Sequence, residues 1–426
     1  MANDPKSSLF DKTLMDKVRN SFYWVENDPY LKQKRLFFDN SGGSFRLKTA
    51  SEAFIQSDTF PDCPEHSNRT ALELGQIEYT AKENIKTMLN TTSGTIFTSL
   101  TASKVMFEIV RPLLAALPGS NVVTTILEHP SSFDSLQIYS ELYGKKLRVA
   151  KSNPATGGID PDDILALVDR DTALVSVLSA SNISGTVMDL KTIVQACQQI
   201  NPEIFIITDA VQHMPHARID LSEIPLDALN FAPYKFFGVR GIGIGYLSER
   251  ASRLCHDKLI AKPLDEWEIG SPATGHFASI VAVFDYVVNL GKYFLKSEDR
   301  SALFGEGMRR INLHERALMS LILEGTEQEP GLRNITGVNV HLDAEELSKR
   351  DLILAIDFDN LDVKSAVAEY EKRGVITFER LASSLYSQRM LHSLGLEGIV
   401  RISPLHCNNI DDINEFLRVT QILASL

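Results

Sequence analysis

The feature that most limits what this chain can fold into is a series of short apolar runs alternating with helical patterns between residues 95 and 247. Runs at residues 95–98, 122–127, 173–178, 204–207 and 228–231 have the length of strands rather than of buried helices. Strands that are apolar along most of their length belong in a parallel sheet covered on both faces. Their alternation with helices predicts an open α/β sheet. Ligands bind such sheets beyond the carboxyl ends of the strands, so the polar residues that follow each run are the first to consider.

Residues 204–247, IFIITDAVQHMPHARIDLSEIPLDALNFAPYKFFGVRGIGIGYL, hold the densest group of this kind. Asp209 ends one apolar run, and Gln212 follows three residues later. The next run leads into Tyr234-Lys235, and Gly238, Gly241, Gly243 and Gly245 are spaced for a tight turn into a further strand. Singly, each has an ordinary reading. An Asp after a strand caps a helix or forms a turn. A Lys beside aromatics lies along the surface on its own apolar stem. Together they match what pyridoxal phosphate needs, a lysine for a Schiff base and a carboxylate facing the pyridine nitrogen.

The words TDAVQ, PHARIDL and YKFFGVRGIGIGYL resemble the fold-type I pyridoxal-phosphate enzymes of the class V aminotransferase and cysteine desulfurase superfamily. The sequence is most similar to a cysteine-desulfurase-like subgroup with Tyr-Lys-Phe-Phe-Gly where typical desulfurases have His-Lys. The resemblance runs from Phe38 to Asn414. It implies a mostly parallel mixed sheet in a large cofactor-binding domain, residues 36–291. A smaller α+β domain would comprise residues 292–426, with residues 1–35 as an N-terminal arm whose Leu9, Phe10, Leu14, Val18 and Phe22 recur at helical spacing.

The same resemblance implies roles. Lys235 forms the Schiff base and, once released by substrate, moves protons. Asp209 keeps the pyridine nitrogen protonated. His129, after the run at 122–127, stacks on the ring. Asn182 in SNISGTV matches the family's Asn-x-x-Gly-Thr and, with Gln212, approaches the phenolic oxygen. Tyr234 belongs to the cofactor site. Thr101 and Ala102 match the turn that grips the cofactor phosphate, although Leu100 stands where the family has glycine. Ser271, in Gly270-Ser271-Pro272-Ala273, matches a hydroxyl residue that reaches the phosphate of the neighbouring subunit, which implies a homodimer. Arg401 matches the arginine that binds the substrate α-carboxylate as a fork. Asn40 in NSGG and Arg69 in PDCPEHSNR border the substrate, and Arg380 is a candidate for a second anionic group. Without the resemblance these residues read as an N-cap, a structural histidine, turns and solvated edge charges.

Composition narrows the partners. A net charge of −12 argues against nucleic acid or an anionic membrane surface. No apolar run approaches the roughly 18 residues needed to span a bilayer. The start, MANDPKSSLF, shows no secretion signal. Four scattered cysteines with no CxxC pair suggest a reducing cytoplasm and no structural metal. Past Leu247 the sequence predicts a helix-like stretch leading to EWEIGSPATGHF.

One departure from the family separates reaction types. Desulfurases carry a mobile-loop cysteine between the counterparts of Gly374 and Gly395, where this chain has ITFERLASSLYSQRMLHSL. Cys63, Cys197, Cys255 and Cys407 do not align with it. The expected activity is therefore that of a pyridoxal-phosphate enzyme working on an amino acid through an external aldimine and an α-carbanion. A C–S or β-elimination lyase is favoured, with a racemase, epimerase or aminotransferase as alternatives. A non-catalytic binding or scaffold relative is the alternative of another class.

Overall fold

The computed structural model describes residues 8–426. After a two-residue strand, β1 (Leu36–Phe37), seven strands form the principal sheet. They are β2 (Thr95–Ser99), β3 (Asn121–Thr125), β4 (Lys146–Ala150), β5 (Thr172–Ser176), β6 (Phe205–Asp209), β7 (Ala228–Phe231) and β8 (Gly243–Leu247). Their order is β2-β8-β7-β6-β5-β3-β4. β3 to β7 pair in parallel, whereas β8 runs antiparallel to both β7 and β2. β3, β5, β6, β7 and β8 are buried at every position, and the edge strand β4 is the one in this sheet with exposed residues. The apolar runs of the sequence thus form the interior of a mostly parallel mixed sheet.

Helices cover both faces. The helix Ala102–Ala116 starts where the Thr101 hydroxyl accepts from the Lys104 amide at 3.1 Å, an ordinary N-cap. The helix Thr274–Gly291 is apolar on nearly every side because it lies between the helices Lys48–Asp58 and Arg300–Glu324. Gly291 and Gly307 make that crossing possible: a Cβ on either would collide with a carbonyl of the facing helix, of Leu303 or Val287.

A second sheet occupies the C-terminal part of the chain. It consists of β9 (Val338–His341), β10 (Leu354–Phe358), β12 (Phe378–Leu381) and β13 (Gly398–Ile402), ordered β12-β13-β10-β9 and antiparallel throughout. The remaining strand, β11 (Val375–Ile376), pairs in parallel with β1. This small domain has its own core, including Leu354, Ile356, Val400, Ile402 and Phe416. The helix Arg300–Glu324 serves both cores, the large one through Leu303, Phe304, Met308 and Ile311 and the small one through Leu318, Met319, Ile322 and Leu323. In the N-terminal arm, the helix Lys12–Asn20 is capped by Asp11. It buries Leu14 and Val18, with Phe10 and Phe22 on either side, in the large core. Arg19 of this helix pairs with Asp412 at 2.6 Å.

The expectation of a helix-like stretch past Leu247 is corrected. Helix is confined to Glu249–Ser252, and residues 253–273 are irregular. Pro263, Gly270 and Pro272 interrupt any longer helix. The segment is anchored instead by Trp267, whose indole N–H donates to the Ser252 carbonyl at 2.8 Å and whose ring stacks on His256. Among the described residues no helix is long and apolar enough to cross a membrane.

Candidate active site

The carboxyl ends of β2, β3, β5, β6 and β7 surround a cavity of about 320 Å³, within the ~300–1,000 Å³ range of ligand pockets. Eight of the residues singled out in the sequence line it: Thr101, Ala102, His129, Asn182, Asp209, Gln212, Tyr234 and Lys235. A larger and more open depression of about 620 Å³ adjoins it through Leu100, Gly241 and Ile242. The smaller cavity is the one on which the titratable groups converge.

Asp209 is the last residue of β6, 7% exposed, and its carboxylate accepts from the Val211 amide at 3.0 Å. Burial raises its pKa, against the Val211 hydrogen bond and the charge of Lys235. The Lys235 amine donates to the Gln212 side-chain carbonyl at 2.9 Å. Burial lowers Lys235 to about 7, helped by the charges of Arg401 and Arg380 and opposed by Asp209 and Asp39. At neutral pH a substantial share of the amine, about half, is therefore uncharged and nucleophilic. The turn that carries Gln212 is tied at His213, which bonds Asp351 at 2.9 Å, and at His216, which bonds Glu315 at 2.7 Å.

His129 caps the helix Pro130–Leu142, its Nδ1 accepting from the Ser131 amide at 3.2 Å. An accepting Nδ1 places the ring proton of the neutral imidazole on Nε2. Burial lowers its pKa to about 4, with Lys235, Arg380 and Arg389 adding to the effect, so the ring is neutral at physiological pH. Two buried side-chain oxygens on the cavity wall, Asn182 Oδ1 and Asn230 Oδ1, have no hydrogen-bond partner within the chain. The Asn230 amide N–H is held by the Ala102 carbonyl at 2.9 Å. Tyr234 stacks under the Arg240 guanidinium at 4.4 Å.

Arg401, on β13, acts on Lys235 from the small domain. Its Nη2 donates to Asp39 at 2.7 Å and its Nη1 to the Asn182 carbonyl at 3.3 Å. Arg380, on β12, is near enough to depress Lys235 as well. Neither arginine is in the lining of the cavity, and the other expected residues, Asn40, Arg69 and Ser271, are not either. Asn40 stands as a brace: its side-chain NH2 donates to the carbonyls of Phe37 and Ser403, and its oxygen accepts from the Phe45 amide. Arg69 is exposed on the first turn of the helix Arg69–Met88. Ser271 bonds the Glu65 carboxylate and borders the adjoining depression.

Sequence reasoning missed Glu128, Asp39, Asn230 and Arg240. Glu128 is fully buried beside His129, its Oε1 accepting from the Leu178 amide at 2.7 Å and from Thr125 at 3.0 Å. Its place at the end of an apolar run was the available signal. None of the four cysteines lines the cavity. Cys197 and Cys407 are buried in the core, Cys255 is exposed, and Cys63 bonds Glu65, which raises its thiol pKa. The described residues contain no cluster able to hold a metal ion.

Comparison with known proteins agrees with this geometry. The family Aminotransferase class-V matches residues 64–416. Along almost its full length the chain is similar to the aminotransferase-like protein FGM3 of Gibberella zeae, 23% identical over 95% of this chain and 96% of the relative. It is also similar to a probable cysteine desulfurase of Mycoplasma genitalium, 29% identical over 58% of this chain and 61% of that protein. The chain thus matches about three fifths of that desulfurase's length. Among solved structures, a cysteine desulfurase from Thermococcus onnurineus shares the fold with a TM-score of 0.80 at 19% identity, over 96% of this chain and 98% of the other. The cysteine desulfurase CsdA of Escherichia coli does so with a TM-score of 0.78 at 16% identity, over 98% and 99% of the two chains.

Proposed function

This chain belongs to the aminotransferase class-V family, and on that premise we propose that it is a pyridoxal-phosphate enzyme acting on an amino acid at Lys235. The observation that carries the reading is a lysine amine lowered to about 7 inside a cavity walled by Asp209, Gln212, Asn182 and a neutral His129. The donor set fits the cofactor. Lys235 supplies the covalent link, Asp209 a carboxylate for the pyridine nitrogen, and His129 a flat apolar face. The side-chain NH2 groups of Asn182 and of Gln212, whose carbonyl is taken by Lys235, would be the donors for the phenolic oxygen. Thr101 and Ala102, at the start of the helix Ala102–Ala116, offer free amides and a favourable dipole to the phosphate. When bound, the cofactor supplies an electron sink for the substrate α-carbon.

The chain's own residues then divide the work. Lys235, partly uncharged near pH 7, takes the α-proton and returns it. Asp209 stays acceptor-only when ionised and holds a positive partner in place. Arg401 orients the substrate through its carboxylate. Of the reactions this arrangement allows, β-elimination or C–S (or C–Se) cleavage is preferred: the β-sulfur of a sulfur amino acid leaves as a thiol, and water hydrolyses the remaining aminoacrylate to pyruvate and ammonia. The feature favouring it over persulfide transfer is that no thiol lines the cavity and the segment from Gly374 to Gly395 carries none. Racemisation and transamination share the same first proton transfer. The intact Lys235, Asp209 and Gln212 set supports an enzyme over a silent scaffold.

A homodimer forms part of the proposal. Leu100 and Ile269 are exposed and line the depression that holds Ser271, and Ile260 and Leu264 of the same irregular segment are exposed as well, an apolar surface suited to a second copy. Elution at the mass of one active chain would count against it. Four free cysteines fit a reducing compartment such as the cytoplasm. The deciding experiment incubates the enzyme with cysteine and cysteine conjugates, followed by mass spectrometry of products and intact protein. Pyruvate with unchanged protein mass is expected. Alanine with a persulfide abolished by Cys63→Ser would overturn the lyase reading.

A further inference from the structure

Two loops that line the cavity meet a single residue of the segment leading into β10. The loop after β5 carries Asn182, and the turn after β6 carries Gln212. Asp351, three residues before β10 and 1% exposed, bonds both loops. Its carboxylate accepts from His213 Nδ1, which lies 2.9 and 3.1 Å from the two oxygens. Its amide donates to the Gly185 carbonyl at 2.8 Å. Among the described residues the carboxylate has no other hydrogen-bond partner, so the His213 link is what offsets its burial. The charged neighbours of Asp351 also include His216, Glu315 and Arg316.

The Asn182 loop is stiff where it meets this segment. The Gly185 amide donates to the Ser181 carbonyl at 2.9 Å, and the Ser181 amide to the Thr186 carbonyl at 2.9 Å. Gly185 has a φ of 74° and packs so closely that a Cβ there would stand 2.6 Å from the Asp351 carbonyl. The Val187 amide bonds the Lys349 carbonyl at 2.9 Å, and Arg350 donates to the carbonyls of Leu342 and Ser184. The Gln212 turn closes on His213, whose carbonyl accepts from the amides of His216 and Ala217 at 2.9 and 3.1 Å. His216, bonded to Glu315 at 2.7 Å, anchors the far end of that turn. The near end, with Gln212 and the Lys235 amine it accepts, depends on His213 and Asp351.

We propose that Asp351 is a positioning residue, which holds the side-chain NH2 groups of Asn182 and Gln212 at a fixed separation for one shared acceptor. The inference rests on the proposed function in taking that acceptor to be the cofactor's phenolic oxygen. It gives the segment before β10 a part in the cofactor site although Asp351 does not line the cavity. The two links differ in kind. The bond to Gly185 is made by the backbone and survives substitution, whereas the bond to His213 is made by the side chain. Changing residue 351 or 213 therefore moves Gln212 against a fixed Asn182.

The test follows the visible band of the cofactor-loaded protein against pH. Donors to the phenolic oxygen favour its charged form, so losing one raises the pH at which the band changes. Asp351→Leu and His213→Leu should each raise that midpoint by about one unit, a tenfold change in proton affinity. The double variant should do no more than either one, because both remove the same link. Asp351→Asn keeps an acceptor for His213 and should stay near wild type. His213 is partly exposed, so His213→Leu keeps the test open if Asp351→Leu does not fold. An unchanged midpoint in His213→Leu, or shifts that add in the double variant, would overturn the proposal. A wild-type protein without a Lys235-dependent visible band would instead count against the proposed function. Acylation of Lys235 in the cofactor-free protein at pH 6, read by peptide mass spectrometry, then decides the positioning role. Freed of the Gln212 acceptor, the amine should react about threefold faster in His213→Leu, and an unchanged rate would overturn the proposal.

Discussion

Glu128 allows the electrostatics of the site to be tested without a substrate. The residue is fully buried, one carboxyl oxygen accepts two hydrogen bonds, and the other, Oε2, has no partner. Burial first, and the negative charge of Asp209 second, raise its pKa from 4.5 to about 8. Arg389 does not neutralise it by pairing, because that guanidinium holds the backbone carbonyls of Ile126 and Glu128. The folded chain therefore keeps this proton at pH 7, whereas the unfolded chain releases it near the ordinary glutamate value. Between those two pKa values folding binds a proton, so stability falls as pH rises, by about 1.4 kcal/mol per unit. Below the lower value and above the upper one the contribution is flat. Glu128→Gln keeps the shape and removes the titration. The variant's stability relative to wild type should rise by about 3 kcal/mol between pH 5 and pH 7, on top of any constant offset. Urea unfolding of both proteins at pH 5, 6, 7 and 8 reads this difference and cancels the other titrating groups. A gap that stays constant across the series would show that Glu128 is ionised in the folded protein and refute the reasoning.

Two further outcomes concern the cavity. Borohydride reduction of the cofactor-loaded protein should fix one adduct, mapping to Lys235 by peptide mass spectrometry and missing in Lys235→Ala; an adduct on another lysine would move the site. Asp209→Ala should lower kcat by about 10²–10³-fold, as for loss of one preorganised electrostatic partner, while circular dichroism stays unchanged; near-normal turnover would remove Asp209 from that role.

What could be read from the sequence follows the range of the interactions involved. β5, β6 and β7 were legible because burial on both faces leaves apolar runs with no polar alternation. Asp209 and Lys235 were legible because strand ends carry them toward a common edge. The Asp39–Arg401 pair was not, since its members are 362 residues apart and meet only when residues 38–41 align beside Ser403. The neighbouring Asn40 drew attention instead and proved to be a backbone brace. Glu128 was passed over because an acid at a strand end looks like a turn former until its burial is known. The irregular segment 253–273 misled for a different reason. Trp267 is its buried apolar anchor, while Leu259, Ile260, Leu264 and Ile269 are exposed, so its apolar residues build no helical face against the core.

The loop that distinguishes this chain from desulfurases also limits what the site can do. Its backbone is pinned at Ser384 and Ser387, whose amides bond the carbonyls of Leu381 and Ser384, and the Ser387 hydroxyl is itself bound to the Leu381 carbonyl at 2.9 Å. Leu385 and Tyr386 face solvent, 89% and 66% exposed. The segment thus presents an apolar tip and hydroxyls, and hydroxyls are poor nucleophiles toward sulfur compared with a thiolate. The reactive groups left in the cavity are the Lys235 amine, lowered to about 7, and the neutral imidazole of His129. The Lys235 amine exchanges protons near neutral pH, the His129 ring stays neutral there, and neither receives a sulfur atom in transfer. On the proposed function, a site with a lysine base but no thiol would labilise the α-carbon and let a β-substituent depart as its own anion. That balance of groups, more than any single likeness, is what supports the proposed elimination over persulfide chemistry.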